Sequence, residues 1–269
     1  MNDVFKLLQG TTPLLISMPH VGTAIPDELR GAYQPRALMS EDTDWHLDQL
    51  YGFALELGAG MLVPHCSRYV IDLNRPPDDA PMYPGASNTE LCPTRFFSGD
   101  SLYLEGRAPD PAEQRRRLAT YWQPYHQALQ TELQRLRELH GHAVLFDAHS
   151  IRSELPWLFA GRLPDLNLGT VDGRSCDAQL TAQLARLFAQ QSDYTQVVNG
   201  RFKGGYITRQ YGRPEQGVHA VQLEMCWCAY MQEAPPPFPK DAWDGARAAK
   251  VQPLLKQMVQ QLSHWRPRA

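Results

Sequence analysis

The chain has 269 residues, 43% of them hydrophobic and 20% charged, with a formal net charge of −3. That length supports a large core, as one α/β domain or two smaller ones, and the charge leaves no electrostatic footprint for nucleic acid or an anionic membrane. No apolar run is long enough to span a bilayer, and the sequence from Met1 to Lys6 lacks a signal peptide's charged-then-apolar pattern, so the cytoplasm is the expected setting.

In chain order, Pro13 to Met18 predicts a buried strand that ends at Pro19-His20. Apolar residues at helical spacing (Trp45, Leu47, Leu50, Phe53, Ala54, Leu57) predict a helix over 44–57, with Ser40 or Asp42 as its cap. Short strands are expected at 61–63 and 69–73. Residues 76–110 are rich in Pro, Gly, Asp and Ser; Tyr83, Phe96, Phe97 and Tyr103 punctuate them, so a packed irregular loop is expected. A helix over 111–139 should stop at Gly141, and Pro124 should kink or divide it. Further strands are predicted to end at Asp147 and to lie near 157–160. A helix is expected over 176–190 and a hairpin from 194–199 and 205–209 around Gly204-Gly205. A strand at 220–225, a rigid Ala-Pro-Pro-Pro connector at 234–237 and a helix over 241–263 complete the pattern. Strands interleaved with helices imply a single α/β domain, its sheet flanked on both faces. The cysteines at 66, 92, 176, 226 and 228 are scattered without a Cys-x-x-Cys, which predicts reduced, structural thiols.

Five segments carry candidate chemistry. In Asp147-Ala-His149-Ser150, strand alternation puts Asp147 and His149 on one face at the carboxyl end, where open α/β sheets carry their sites. That pairing suits a metal-ligating imidazole with an orienting carboxylate, or a plain hydrogen-bonded histidine at a strand end. His20 follows a buried strand and precedes Gly22, which also fits an ordinary tight turn. Glu41, Asp42, Asp44 and His46 crowd together, either as ligands or as acids that complement a helix dipole. Asn74-Arg75 follows an apolar stretch; arginine suits bidentate carboxylate recognition, although a solvated arginine is equally ordinary. Glu224 lies within an apolar strand, where a carboxylate is costly unless paired. It is a candidate general base or metal ligand, or an edge residue facing water.

Taken in order, Pro19-His20-x-Gly22, Asp42-Thr-Asp44-Trp-His46, Asp72-Leu-Asn74-Arg75 and Asp147-Ala-His149-Ser150 resemble the N-formylglutamate amidohydrolase family. Lys203-Gly-Gly-Tyr-Ile-Thr-Arg209 and Gln222-Leu-Glu224 extend the resemblance over nearly the whole chain. A more distant similarity runs to zinc carboxypeptidases and aspartoacylases, in Asn74-Arg75, His149 and Glu224. Those families carry a His-x-x-Glu pair, whereas position 23 here is Thr. The second ligand must therefore come from elsewhere: Asp44 is preferred, with Glu41, Asp42 and His46 as alternatives.

The resemblance implies a mixed sheet of the phosphorylase/hydrolase and carboxypeptidase kind, and one zinc ion per chain held by His20, Asp44 and His149. It implies hydrolysis of N-formyl-L-glutamate to L-glutamate and formate, as in histidine degradation. Glu224 would be the base and Asp147 would orient His149. Asn74 and Arg75 would bind the small acidic substrate, with Arg68, Lys203 and Arg209 as further candidates. The competing readings are a related hydrolase of another N-acyl amino acid or peptide-like substrate, and a metal-free binding protein for small acidic ligands. The sequence leaves the oligomeric state open.

Overall fold

In a computed structural model, which describes residues 4–82, 88–233 and 243–267, the chain forms a mixed sheet of seven strands in the order β1-β3-β2-β4-β7-β5-β6. The strands are β1 (Phe5–Leu8), β2 (Leu14–Ser17), β3 (Gly60–Pro64), β4 (Ala143–Ile151), β5 (Leu166–Gly169), β6 (Gln196–Val198) and β7 (Val218–Cys226). The four central strands β3, β2, β4 and β7 run parallel, while β1 and β5 are antiparallel to their neighbours β3 and β7. The helices are α1 (Asp27–Arg30), α2 (Leu47–Leu50), α3 (Pro111–Arg117), α4 (Gln123–His140), α5 (Ala178–Ala189), α6 (Tyr206–Tyr211) and α7 (Gly245–His264).

Both faces of the sheet are covered, which is why the central strands read as unbroken apolar runs. Leu14, Ile16, Val144, Phe146, Val221 and Leu223 face α5 and α7, meeting Leu180, Leu184, Val251, Leu255 and Met258. On the other face Leu15, Ala143, Leu145 and Ala220 meet Tyr125, Leu129, Leu133 and Leu136 of α4. No helix among the described residues is long and apolar enough to cross a membrane.

Several predicted elements appear as expected. The strand predicted to end at Asp147 runs on to Ile151, so His149 stands within it. The 111–139 helix is present as α3, a π turn over Leu118–Trp122, and α4. Pro124 lies in the first turn of α4, directly after the π turn, which is the division its missing N–H imposes. Gly141 ends α4 in the left-handed conformation at φ 79°. The excursion over 76–110 is irregular and packed where described, with Phe96, Leu102 and Tyr103 buried. Tyr83 and the 234–237 connector lie outside the described residues.

Other expectations are corrected. The 44–57 helix is reduced to the single turn α2 and a 3-10 turn over Gly52–Ala54. His46 sits at φ 59°, and the Asp44 N–H bonds the His20 carbonyl at 3.0 Å, so the chain bends here instead of starting a helix. Residues 69–73 are not a strand. They are buried turns, in which Val70 N–H donates to the Ser67 carbonyl at 2.9 Å and Asp72 N–H to that of Leu91 at 2.7 Å. Residues 157–160 form a turn, with Leu158 and Phe159 N–H both on the Leu155 carbonyl. The expected hairpin partner at 205–209 is helical and forms most of α6.

Candidate active site

The carboxyl ends of the parallel strands carry the site, as an open α/β sheet predicts. β4 and β7 pair with His149 beside Glu224 and Asp147 beside Gln222. Alternation then puts these four side chains on one face, the α4 side. His20 follows β2, and the bend at 42–46 brings Asp44 to it.

His20, Asp44 and His149 are all buried and could hold a metal ion, since one ligand atom of each lies within 4.8 Å of the others. Asp44 Oδ2 is 3.0 Å from His149 Nδ1 and 3.7 Å from His20 Nδ1. Ligand atoms around a tetrahedral ion with bonds of about 2.0–2.1 Å stand about 3.3 Å apart, so the spacing fits. His20 Nδ1 is buried without a hydrogen-bond partner among the described residues.

The far nitrogen of each imidazole meets a carboxylate. His20 Nε2 is 2.6 Å from Asp72 Oδ1, and His149 Nε2 is 3.1 Å from Asp147 Oδ2. For His20 this is the carboxylate–histidine arrangement that fixes the tautomer and turns Nδ1 toward a metal, while at His149 Nε2 the Asp147 carboxylate shares the position with the Asn74 amide. The two rings respond differently. Burial, aided by Arg68, lowers the His20 pKa against the pull of Asp72 and Asp44. Burial also acts to lower that of His149, but Asp147 and Asp44 outweigh it and hold it well above the ordinary value.

Asp72 is the hub of this arrangement and is wholly buried. Beyond His20, its Oδ1 accepts the Asn74 N–H at 2.8 Å and its Oδ2 accepts from Arg68 Nη2 at 2.8 Å. Burial works to raise its pKa, yet His20 and Arg68 drive it well below the usual carboxylate range. Sequence reasoning quoted Asp72 within a motif and gave it no role. The available signal was an acid inside the apolar stretch Tyr69–Leu73, which must be paired if buried.

Glu224 is 7% exposed and lines the same cavity as the three candidate ligands. Burial, reinforced by Asp44, pushes its carboxyl up to about 8 against His149 and Arg68. It does not face open water.

The three alternatives for the second ligand are engaged elsewhere. Glu41 pairs with Arg36, and the His46 ring packs against Trp45 and Trp243. Asp42 Oδ2 accepts from the Tyr69 hydroxyl at 2.7 Å and the Phe97 N–H at 2.9 Å, and burial raises its pKa to about 6.

The cavity, about 70 Å³, is lined by Arg68, Asn74, Arg75, Arg201 and Gln222 together with the central group. Arg75 is anchored on Thr89, with Nε on its carbonyl at 2.9 Å and Nη2 on its hydroxyl at 2.7 Å. Asn74 Nδ2 lies 2.9 Å from His149 Nε2, while its Oδ1 accepts the Ile207 N–H of α6 at 2.8 Å. A side chain at Gly205 would collide with the Asn74 amide, so this contact requires glycine. Lys203 and Arg209 are not among the lining residues. Lys203 pairs with Asp172 at 3.1 Å, and Arg209 Nε donates to the Gly204 carbonyl at 2.9 Å. Arg201 and Gln222, which sequence reasoning passed over as site residues, do line the cavity; Gln222 Oε1 accepts the Gly205 N–H at 2.7 Å.

The chain is 49% identical over 266 residues to the N-formylglutamate deformylase of Pseudomonas putida, covering 98% of this chain and 97% of that one. It is equally similar to that of Pseudomonas aeruginosa, covering 98% of each. Its fold superposes on an N-formylglutamate amidohydrolase from Ralstonia eutropha with a TM-score of 0.80 at 24% identity, over 97% of both chains. Residues 12–231 match the model of one family, and the chain therefore belongs to the N-formylglutamate amidohydrolase family.

Proposed function

We propose that the protein is a zinc-dependent amidohydrolase that converts N-formyl-L-glutamate and water to L-glutamate and formate, a step of histidine degradation. The observation that carries this reading is the buried His20–Asp44–His149 group beside Glu224. Two relatives at 49% identity, both named N-formylglutamate deformylase, support the substrate.

His20 and His149 would offer Nδ1 and Asp44 a carboxylate oxygen to the metal, leaving a fourth position for water or substrate. Bound there, zinc would supply a water of lowered pKa and would polarise the formyl oxygen. Asp72 holds His20 in the ligating tautomer, and Asp147 stands beside His149 to orient it. Glu224 takes a proton from the attacking water and returns it to the departing amide nitrogen, so that one carboxylate acts first as base and then as acid. Arg75, held by Thr89, meets a substrate carboxylate. Asn74 braces His149, and Arg68 lines the wall while committed to Asp72. Lys203 and Arg209 have no part in this reading.

The test is formate release from N-formyl-L-glutamate, removed by a chelator and restored by added zinc. Preferential turnover of a different N-acyl amino acid would favour the related hydrolase. Binding of L-glutamate by metal-free protein, with no turnover of any N-acyl amino acid, would favour a binding protein.

A further inference from the structure

We propose that Arg201 recognises the side-chain carboxylate of the substrate and so sets the preference for a diacid, an assignment that rests on the deformylase reading above. Three guanidinium groups line the cavity, those of Arg68, Arg75 and Arg201. Arg68 is committed within the protein: it pairs with Asp72 at 2.8 Å, lies 3.9 Å from Asp44 and covers the Phe97 ring at 4.6 Å. N-formylglutamate brings two carboxylates into a largely buried site, and each needs a cation to offset its desolvation. Arg75 and Arg201, which also line the cavity, take that task.

They stand on different walls. Arg75 follows Asn74, whose amide touches His149, and its Nε lies 4.0 Å from Asp72, the partner of His20. Arg75 is therefore on the metal-ligand side, where the α-carboxylate sits next to the carbon that bears the reacting nitrogen. Arg201 comes from the segment between β6 and α6. Its Nη2 donates to the Leu158 carbonyl at 3.4 Å, and its guanidinium lies 5.3 Å from the centre of the Phe202 ring. Leu158 and Phe202 pack against a separate apolar cluster around Ile151, Leu155 and Phe159. That wall suits the methylenes of a glutamate side chain, with its carboxylate carried beyond them to Arg201.

The backbone beneath Arg201 is tied down on both sides. Asn199 N–H donates to the Leu168 carbonyl at 2.7 Å, Val171 N–H to that of Lys203 at 2.6 Å, and Gly205 N–H to Gln222 at 2.7 Å. A long cation on a fixed loop loses less freedom on binding than one on a mobile loop, which favours selectivity. Its sequence neighbour Lys203 instead reaches outward to Asp172 and is 44% exposed.

The experiment compares kcat/KM for N-formyl-L-glutamate and N-formyl-L-glutamine, which differ only in the distal carboxylate. Arg201→Gln is expected to lower the ratio of the two by about tenfold to a hundredfold, mostly through KM, because a charge-assisted bidentate contact is lost. Arg201→Lys should recover part of it. Titration with L-glutamate and L-glutamine reads the same difference without turnover. A ratio within twofold of wild type, or an equal loss for both substrates, overturns the role of Arg201 and leaves the deformylase reading intact. A wild-type protein that turns over neither substrate defeats the deformylase reading itself, and the assignment with it.

Discussion

Replacing Asp72 with Asn tests the architecture of the site at its hub. The shapes are nearly equal, but one acceptor becomes a donor. Oδ1 must remain the carbonyl, because it receives both His20 Nε2 at 2.6 Å and the Asn74 N–H at 2.8 Å. The new amide NH2 then replaces Oδ2 and faces Arg68 Nη2, 2.8 Å away, donor against donor. Arg68, whose side chain is 8% exposed, keeps the 3.9 Å contact with Asp44 and the more distant Asp42 as counter-charge. Stranding one partner of a buried ion pair costs about 3–5 kcal/mol. For a chain of this length that is a fall in Tm on the order of 10 °C. The imidazole of His20 also loses its anionic partner, which should weaken zinc binding by about 10- to 100-fold. Chelator competition measures the affinity and scanning calorimetry the Tm. Since Glu224 is untouched, kcat at saturating zinc should return to within severalfold of wild type. An Asp72→Asn protein with wild-type zinc affinity would refute the claim that this carboxylate orients His20.

Asp44→Ala should abolish zinc binding and formate release together, while Asp42→Ala should lose stability and retain zinc, as metal analysis of the two purified variants will report. Glu224→Gln should keep zinc and slow turnover by about 10²–10⁴-fold; loss of metal instead would make Glu224 a ligand. His126 gives a pH prediction. Its Nε2 meets the Leu73 carbonyl at 2.9 Å and its Nδ1 the Tyr211 hydroxyl at 2.8 Å, and burial lowers its pKa to about 4. The unfolded chain therefore binds this proton first. Stability from the neutral ring is complete above pH ~6.5 and declines toward pH ~4, by about 3 kcal/mol in all. Denaturant titrations of His126→Gln across that range should show a shallower decline than wild type, and an unchanged slope would sink the idea.

The sequence made the central sheet legible because β2, β4 and β7 are buried on both faces and their composition says so. Two strands were not legible. β1 reads Phe-Lys-Leu-Leu and β5 Leu-Asn-Leu-Gly, too short to carry a period, whereas β6 lies within the strand expected at 194–199. The apolar spacing of 44–57 misled because Asp44 is bonded to the His20 carbonyl, a contact no local window contains. The candidate ligands and Glu224 were legible as motifs in order, and choosing Asp44 over its neighbours agrees with the spacing of the cluster. Arg201 was hidden because composition cannot say which side of a loop faces a cavity. Nearby Lys203 and, on α6, Arg209 were named instead and do not line the cavity.

The contact between Asn74 and α6 bears on the order of folding. Six residues are too few for a helix that stands alone in water. No side chain of its own caps its start; the Tyr206 N–H goes to the Asn74 carbonyl at 3.3 Å and the Ile207 N–H to the Asn74 side chain, 133 positions away. This turn of helix cannot be a nucleus. It must wait for a distant part of the chain to arrive, so this helix forms only together with the wall that bears Asn74.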